Sequence, residues 1–424
     1  MGLLRTLVIV TSLPYPPLAG EELRNWQNVY GLSSIGQVGV FGLCSNDPRS
    51  EKPPRDGLIL WRSSSDVNLA YPQPKQVLAV ARSWPLHPFG HPSDVLYSDI
   101  AASEIAQVMA DFQPQLVIVE SVWLYRYIDV LKKFNCRIVL DCHNVDGALF
   151  QEIADTISGD DLPARLHRKL VPSRTKLIEQ KAIQAADEIW VCSDDDARLV
   201  KDLYGQSRHM HVIPNGIDVA SYEVACRQHY ERPERVSPGG RVVIFPAHFG
   251  SHPNAIAARF LVQEFFPLLT AIFPDCQLLL AGHRPTSEMI AAAKVEPRIL
   301  VTAGVPDMRP YLAASSCVIV PLFQGGGTRF KILEAFAAGV PVVSTAKGAE
   351  GLAIEDGKHL LLAETANEFM NAVNRLWVEE DLGRRLAANG LQLVTESYSF
   401  PVINQKIGHA VHALLLSPDD RKMT

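Results

Sequence analysis

The stretch Pro321 to Gly339, PLFQGGGTRFKILEAFAAG, gathers three glycines, two cations and one acid between positions 325 and 334. It reads as a strand end, a turn of Gly325, Gly326 and Gly327, and a helix opening near Thr328. Glycines let backbone amides close on a phosphate, and the positive end of a helix acts at the same spot. Arg329 and Lys331 add full charges. Glu334 follows a turn and a half into the helix, where a carboxylate accepts hydrogen bonds from two adjacent ribose hydroxyls. A flexible turn before an ordinary amphipathic helix is the plainer alternative. The coincidence of glycines, cations and acid at one strand end favours the phosphate-binding reading.

Other fingerprints fail. No GxxxxGKS or GxxxxGKT occurs, and the nearest approach to GxGxxG, Gly36 to Gly42, sits inside a strand pattern, which argues against a P-loop NTPase and a dinucleotide dehydrogenase. Asp194-Asp195-Asp196 contains a literal DxD, but Ser193 before it reads as a helix N-cap with acids in the first turn. His248 and His252 share a loop without a third ligand, so no metal site is expected there. His143 ends the strand pattern RIVLDC, a position from which a side chain reaches a ligand cleft.

These residues hang on a repeated pattern of short β-branched runs, each followed by a turn and a helical period. The runs at 6–10, 38–43, 115–120, 137–142, 188–193 and 209–214 imply βαβ units and a parallel sheet buried on both faces. After a polar, proline-bearing stretch at 227–240 the alternation restarts at 241–247, 276–282, 299–304, 316–322 and 340–346. The expected fold is therefore α/β, with two Rossmann-like domains whose parallel sheets face a cleft and bind ligands at their strands' carboxyl ends. The Pro- and Ser-rich segment 45–92 reads as an irregular insertion.

Composition sets the outer limits. A chain of 424 residues with 47% hydrophobic and 20% charged residues folds and has room for two domains. A net charge of −6 offers no basic field for nucleic acid. The seven cysteines form no CxxC pair and read as small core residues of a reducing compartment. No apolar run approaching the length of a spanning helix is expected, so the chain reads as cytoplasmic. The basic run 165–181, with Arg165, Arg168, Lys169, Arg174, Lys176 and Lys181 among leucines, is either a solvated helix face partnered by Glu179 or a peripheral contact at the inner membrane face.

The C-terminal half resembles the nucleotide-sugar-binding domain of family 4 glycosyltransferases, which have the GT-B architecture. The resemblance rests on His248 to Asn254, Ala281 to Arg284, Thr302 to Asp307, the glycine loop to Glu334, and Ser344-Thr345 to Gly351-Leu352. In the N-terminal half it continues through Asp141 to Asn144, Ala186 to Ser193 and Ile213 to Asp218, and lapses at 45–92 and 150–175. It implies a first domain of residues 1–220 plus a returning helix near 398–424, and a second domain of 221–397.

The resemblance also implies retaining transfer of a sugar from a nucleoside diphosphate sugar to an acceptor (a glycan, lipid-linked sugar, protein or small metabolite) without metal or other cofactor. Glu334 matches the second glutamate of the family's E-x7-E motif and would hold the ribose. Gly326 stands where the first glutamate belongs, as in a glycine-rich-loop subgroup. The loop after the first strand of the second domain lacks the family's diphosphate cations, so Arg329 and Lys331, with Arg284, are the expected replacements. Val305 would lie near the base, His143 would meet the donor sugar, and Gly20 would let a ligand approach the backbone. A nucleotide-sugar epimerase or hydrolase, and a non-catalytic nucleotide-sugar-binding subunit, are the alternatives.

Overall fold

The computed structural model describes residues 3–17, 20–44, 59–66, 69, 93, 96–156, 162–205, 209–222, 233–237, 239–326 and 329–417. The chain divides into two compact units, Met1–Asn215 with Pro401–Thr424, and Gly216–Phe400.

The first unit holds a seven-stranded sheet of order β3-β2-β1-β4-β5-β6-β7. Its strands are β1 (Leu4–Val10), β2 (Gly36–Gly42), β3 (Ile59–Ser63), β4 (Leu116–Glu120), β5 (Arg137–Cys142), β6 (Glu188–Val191) and β7 (Met210–Val212), all in parallel pairs. Alternation along β1 sends Leu7 and Ile9 to one face and Val8 and Val10 to the other, where they join two separate cores. The first face is covered by the helix Asp99–Phe112 through Ile105 and Met109. The second is covered by Trp26 and Val29 of the helix Gly20–Ser33 and by Ile403, Ile407 and Val411 of the final helix Phe400–Leu416. The segment expected to be irregular thus contributes β3, the sheet's edge, paired Val38↔Ile59 to Gly42↔Ser63.

The second unit repeats the topology with six parallel strands in the order β10-β9-β8-β11-β12-β13. They are β8 (Val242–His248), β9 (Gln277–His283), β10 (Ile299–Val301), β11 (Cys317–Val320), β12 (Val342–Ser344) and β13 (Leu361–Leu362). Gly282 explains how closely β8 and β9 run. Its φ is +147°, and a Cβ there would lie 1.9 Å from the Ala247 carbonyl oxygen, so no other residue fits.

One helical run corrects an expectation. His252–Ile272, which passes through a π-helical turn at Leu261–Phe265, is by length and composition long and apolar enough to cross a membrane, with a mean hydropathy of 1.5. It buries Ala257, Leu261, Phe265 and Leu269 in the second unit's core. The apolar residues are recruited by packing on one face, as in an amphipathic core helix.

Candidate functional site

In the second unit the strand order reverses between β8 and β11, so the loops after these two strands lie side by side at the carboxyl edge of the sheet. An open parallel sheet binds ligands at such a reversal. The loop after β11 runs Pro321 to Gly326, with Gly325 buried at φ +110°, a conformation that favours glycine. The helix Phe330–Ala337 follows, starting later than the sequence pattern predicts; Gly327 and Thr328 lie outside the described residues. Its N-cap, Arg329, has an extended backbone and its side chain makes no cap, so among the described residues the helix's leading amides receive no N-cap side chain.

Arg329 itself folds back on that loop. Its Nη2 donates to the Gly325 carbonyl at 2.7 Å and its Nη1 to the Gly326 carbonyl. Lys331 reaches the other way: Nζ donates to Asn254 Oδ1 at 3.0 Å and sits 4.4 Å from the centre of the Phe245 ring. Asn254 in turn donates to the His248 carbonyl at 3.0 Å, which fixes the loop after β8. Burial, seconded by the neighbouring Arg329 charge, pushes the Lys331 ammonium down to about 7. The two loops also meet through Gln324 Nε2 and His252 Nδ1, 3.3 Å apart.

Glu334 lies on the same helix, half-buried, and its Oε1 accepts the Tyr222 hydroxyl at 2.9 Å. Burial pushes its carboxyl above the usual range, against the Tyr222 hydrogen bond and the Lys331 charge. Val305 is buried, and its carbonyl faces His283 Nε2 at 3.2 Å. Arg284 adopts a left-handed backbone, and its Cδ lies 3.2 Å from where a Cβ on Gly250 would stand, beside the loop after β8. Lys331, Arg329 and Glu334 therefore share one helix end, and Arg284 flanks the neighbouring loop.

The first unit carries a second polar cluster at the ends of β4 and β5. Asp141 is fully buried, and the Arg24 guanidinium grips both its oxygens, with Nε to Oδ2 at 2.7 Å. Arg24 Nη1 also donates to the Ile213 carbonyl at 2.9 Å and to Asn215 Oδ1 at 2.8 Å. Asn28 donates to Asp141 at 2.8 Å and to Glu120 at 3.1 Å. His143 directs Nε2 inward, 3.2 Å from Glu120 Oε2 and 3.6 Å from Asp141 Oδ2, with its side chain 15% exposed. Burial drives all three acid–base groups, and their neighbours separate them. Glu120 is raised well above the carboxylate range by burial and then by the Asp141 charge. Although burial pushes Asp141 up, the Arg24 charge holds it below its ordinary value. Burial lowers His143, so the ring is held neutral against the pull of Asp141.

Glu120, Asp141 and His143 have ligand atoms within 4.8 Å of one another, close enough to hold a metal ion. The donor set does not suit a cation, because Arg24 already fills both oxygens of Asp141 with positive charge. The arrangement suits a carboxylic acid, a carboxylate and a neutral imidazole sharing protons.

Two weaker motifs resolve as structure. Ser193 caps the helix Asp194–Tyr204, its Oγ accepting from the Asp196 amide at 3.1 Å, as its position before the acids predicts. Glu179, expected to partner the basic residues of its helix Leu162–Ala185, instead turns inward. It accepts from the amides of Asp146 at 2.9 Å and Gly147 at 2.7 Å and from the Tyr204 hydroxyl. Gly20 opens the helix that carries Arg24 and Asn28. Sequence reasoning missed Tyr222, Asn254, Arg24, Asn28 and Glu120. Only Glu120, a lone acid closing an apolar strand, left a local signal.

Residues 60–221 match the family described as Glycosyltransferase Family 4, and residues 240–379 match Glycosyl transferases group 1. The first match runs through 150–175 and most of 45–92, where the sequence pattern had no echo. A D-inositol 3-phosphate glycosyltransferase from Pseudarthrobacter chlorophenolicus is 24% identical over 268 residues, 57% of this chain. The match spans 62% of that relative's length. Sucrose-phosphate synthase from Thermosynechococcus elongatus shares the fold at a TM-score of 0.71 and 17% identity, over 97% of this chain and 99% of its own. Anabaena Alr3699/HepE in complex with UDP matches at 0.64 and 15% identity, over 97% and 100%. The trehalose 6-phosphate synthase of Burkholderia multivorans matches at 0.68 and 15%, over 98% and 99%.

Proposed function

Because the chain belongs to the group 1 and family 4 glycosyltransferases, we propose that it moves a sugar from a nucleoside diphosphate sugar to an acceptor hydroxyl with retention of configuration. The observation that carries the reading is the β8–β11 reversal, where a helix start that Arg329 leaves without a side-chain cap, the buried Gly325, Lys331 and Glu334 stand together. In this reading the helix amides, with Gly325 to Thr328, and Lys331 take the diphosphate, and Glu334 takes the ribose. Arg329 joins them by exchanging the Gly325 and Gly326 carbonyls for phosphate oxygens. Arg284 serves the diphosphate from the neighbouring loop, and Val305 lies near the base.

The acceptor oxygen forms its bond to the sugar's anomeric carbon on the face from which the diphosphate departs. The bond from that carbon to the phosphate oxygen breaks, and the departing oxygen takes the acceptor's proton. No protein nucleophile is needed, and the cations lower the barrier by neutralising charge that develops on the leaving group. Residues 221–397 then form the donor-binding domain, and residues 1–220 with 398–424 the acceptor-side domain. In the latter, Gly20 admits a ligand to the backbone, and His143 meets the donor sugar through Nδ1, since Nε2 is committed to Glu120.

Anabaena HepE was solved with UDP and with UDP-glucose, which supports trying uridine donors first. The test is to incubate the protein with UDP-, GDP-, ADP- and TDP-sugars and follow released nucleoside diphosphate with and without acceptors. Release that rises with an acceptor and yields the retained product supports transfer. Release without any acceptor product would point to a hydrolase. Binding without release would point to the non-catalytic reading prompted by Gly326.

A further inference from the structure

We infer that Tyr222 is a positioning residue for the donor's ribose: by occupying one oxygen of Glu334, it aims the other at the vicinal hydroxyls. The inference rests on the donor reading above. The geometry is specific. Tyr222 is 8% exposed, and its hydroxyl lies 2.9 Å from Glu334 Oε1 across 112 positions of sequence. Among the described residues no other group donates a hydrogen bond to Glu334, so Oε2 is the oxygen left to a ligand. A glutamate on the second turn of a helix has three rotatable bonds, and a single fixed hydrogen bond removes most of that freedom before the ligand arrives.

Tyr222 can do this because its own segment is pinned. The Ile217 amide donates to the Tyr398 carbonyl at 2.8 Å, and the Phe400 amide donates to the Ile217 carbonyl at 3.0 Å. Arg309, paired with Asp307, holds the Ser221 carbonyl at 3.3 Å. Val219 and Tyr222 both enter the second unit's apolar core. The hydroxyl also favours the ionised carboxylate, against the burial that raises it. That form accepts hydrogen bonds from the ribose hydroxyls more strongly and carries no competing O–H donor.

Tyr222→Phe keeps the ring and removes the hydroxyl. Binding is measured by calorimetry for UDP, GDP and ADP and for their 2′,3′-dideoxy forms, from pH 5 to 8. The expected result is about tenfold weaker binding of the ribonucleotide and less than about a twofold change for the dideoxy form. The acid limb of the binding profile should move to higher pH, since Glu334 loses the donor that favoured its ionised form. In a Glu334→Ala background, which removes the acceptor, the tyrosine change should have no further effect. Equal losses with both ligands, or no loss with either, would overturn the positioning role. A wild-type protein that binds ribo and dideoxy forms equally would overturn the placement of Glu334 on the ribose, and one that binds no nucleotide would overturn the donor site itself.

Discussion

Lys331 offers a prediction whose size follows from its surroundings. Half-buried against Phe245 and beside Arg329, its ammonium is pushed down to about 7, so at pH 8 only about a tenth of the empty protein carries that charge. A diphosphate bound next to it reverses the balance. One unit of negative charge about 4 Å away, at an effective dielectric near 20, contributes roughly 4 kcal/mol, or about three pKa units. The bound lysine is then almost fully protonated, and binding at pH 8 should take up about 0.9 proton, against about 0.1 at pH 6. A nucleotide sugar is the right ligand, because its diphosphate is a diester that does not titrate near neutrality. The assay is calorimetry at pH 8 in two buffers of different ionisation enthalpy, with UDP-glucose or whichever panel donor binds. Lys331→Met should abolish the uptake and weaken binding.

The same lysine makes a claim about the empty fold. Its folded pKa lies below the unfolded value, so its penalty is fully present below about pH 7 and fades as pH rises toward 10.5. Lys331→Met should therefore stabilise the ligand-free protein at pH 6 and matter little near pH 10. Uptake near zero in the wild type, or uptake retained in the methionine variant, would refute the assignment of Lys331 to the diphosphate.

The remaining predictions concern the scaffold. Arg24→Met should cost about 3–5 kcal/mol in urea unfolding, because it leaves Asp141 buried without its cation; a loss below about 1 kcal/mol would contradict the pairing. Glu120 has a raised folded pKa, so it stabilises the fold below about pH 4.5 and loses that contribution as pH climbs to where the buried carboxyl ionises. Glu120→Gln should flatten that pH dependence of melting temperature. Gly282→Ala should destabilise by about 3 kcal/mol or more, since it forces both a disfavoured φ and a contact with the Ala247 carbonyl; a melting temperature unchanged within a degree would refute the close approach of β8 and β9.

What the sequence made legible was local. The runs that became β1, β4, β5, β8, β9 and β11 are hydrophobic on both faces, and such runs announce central parallel strands. The glycine loop and its cations were visible because they fall within ten positions of one another. Edge elements were not. β3 lies in a Pro- and Ser-rich segment and β13 has two residues, so neither carries a periodic signal. Long-range partners were invisible for a different reason. Arg24 meets Asp141 across 117 positions and Tyr222 meets Glu334 across 112, and nothing local to either residue encodes its partner. Glu179 reads as a helix-surface acid by spacing, yet the fold turns it onto the amides of Asp146 and Gly147.

The most direct test of the central claim is release of nucleoside diphosphate from the donor panel by wild-type protein and by Glu334→Ala, scored together with donor-dependent thermal shift. The account predicts one donor that stabilises the wild type and is turned over, with both effects reduced at least about tenfold in the variant while its unliganded melting temperature stays close to wild type. A donor that binds and reacts equally well in the variant would contradict the placement of the sugar nucleotide on the glycine loop and its helix.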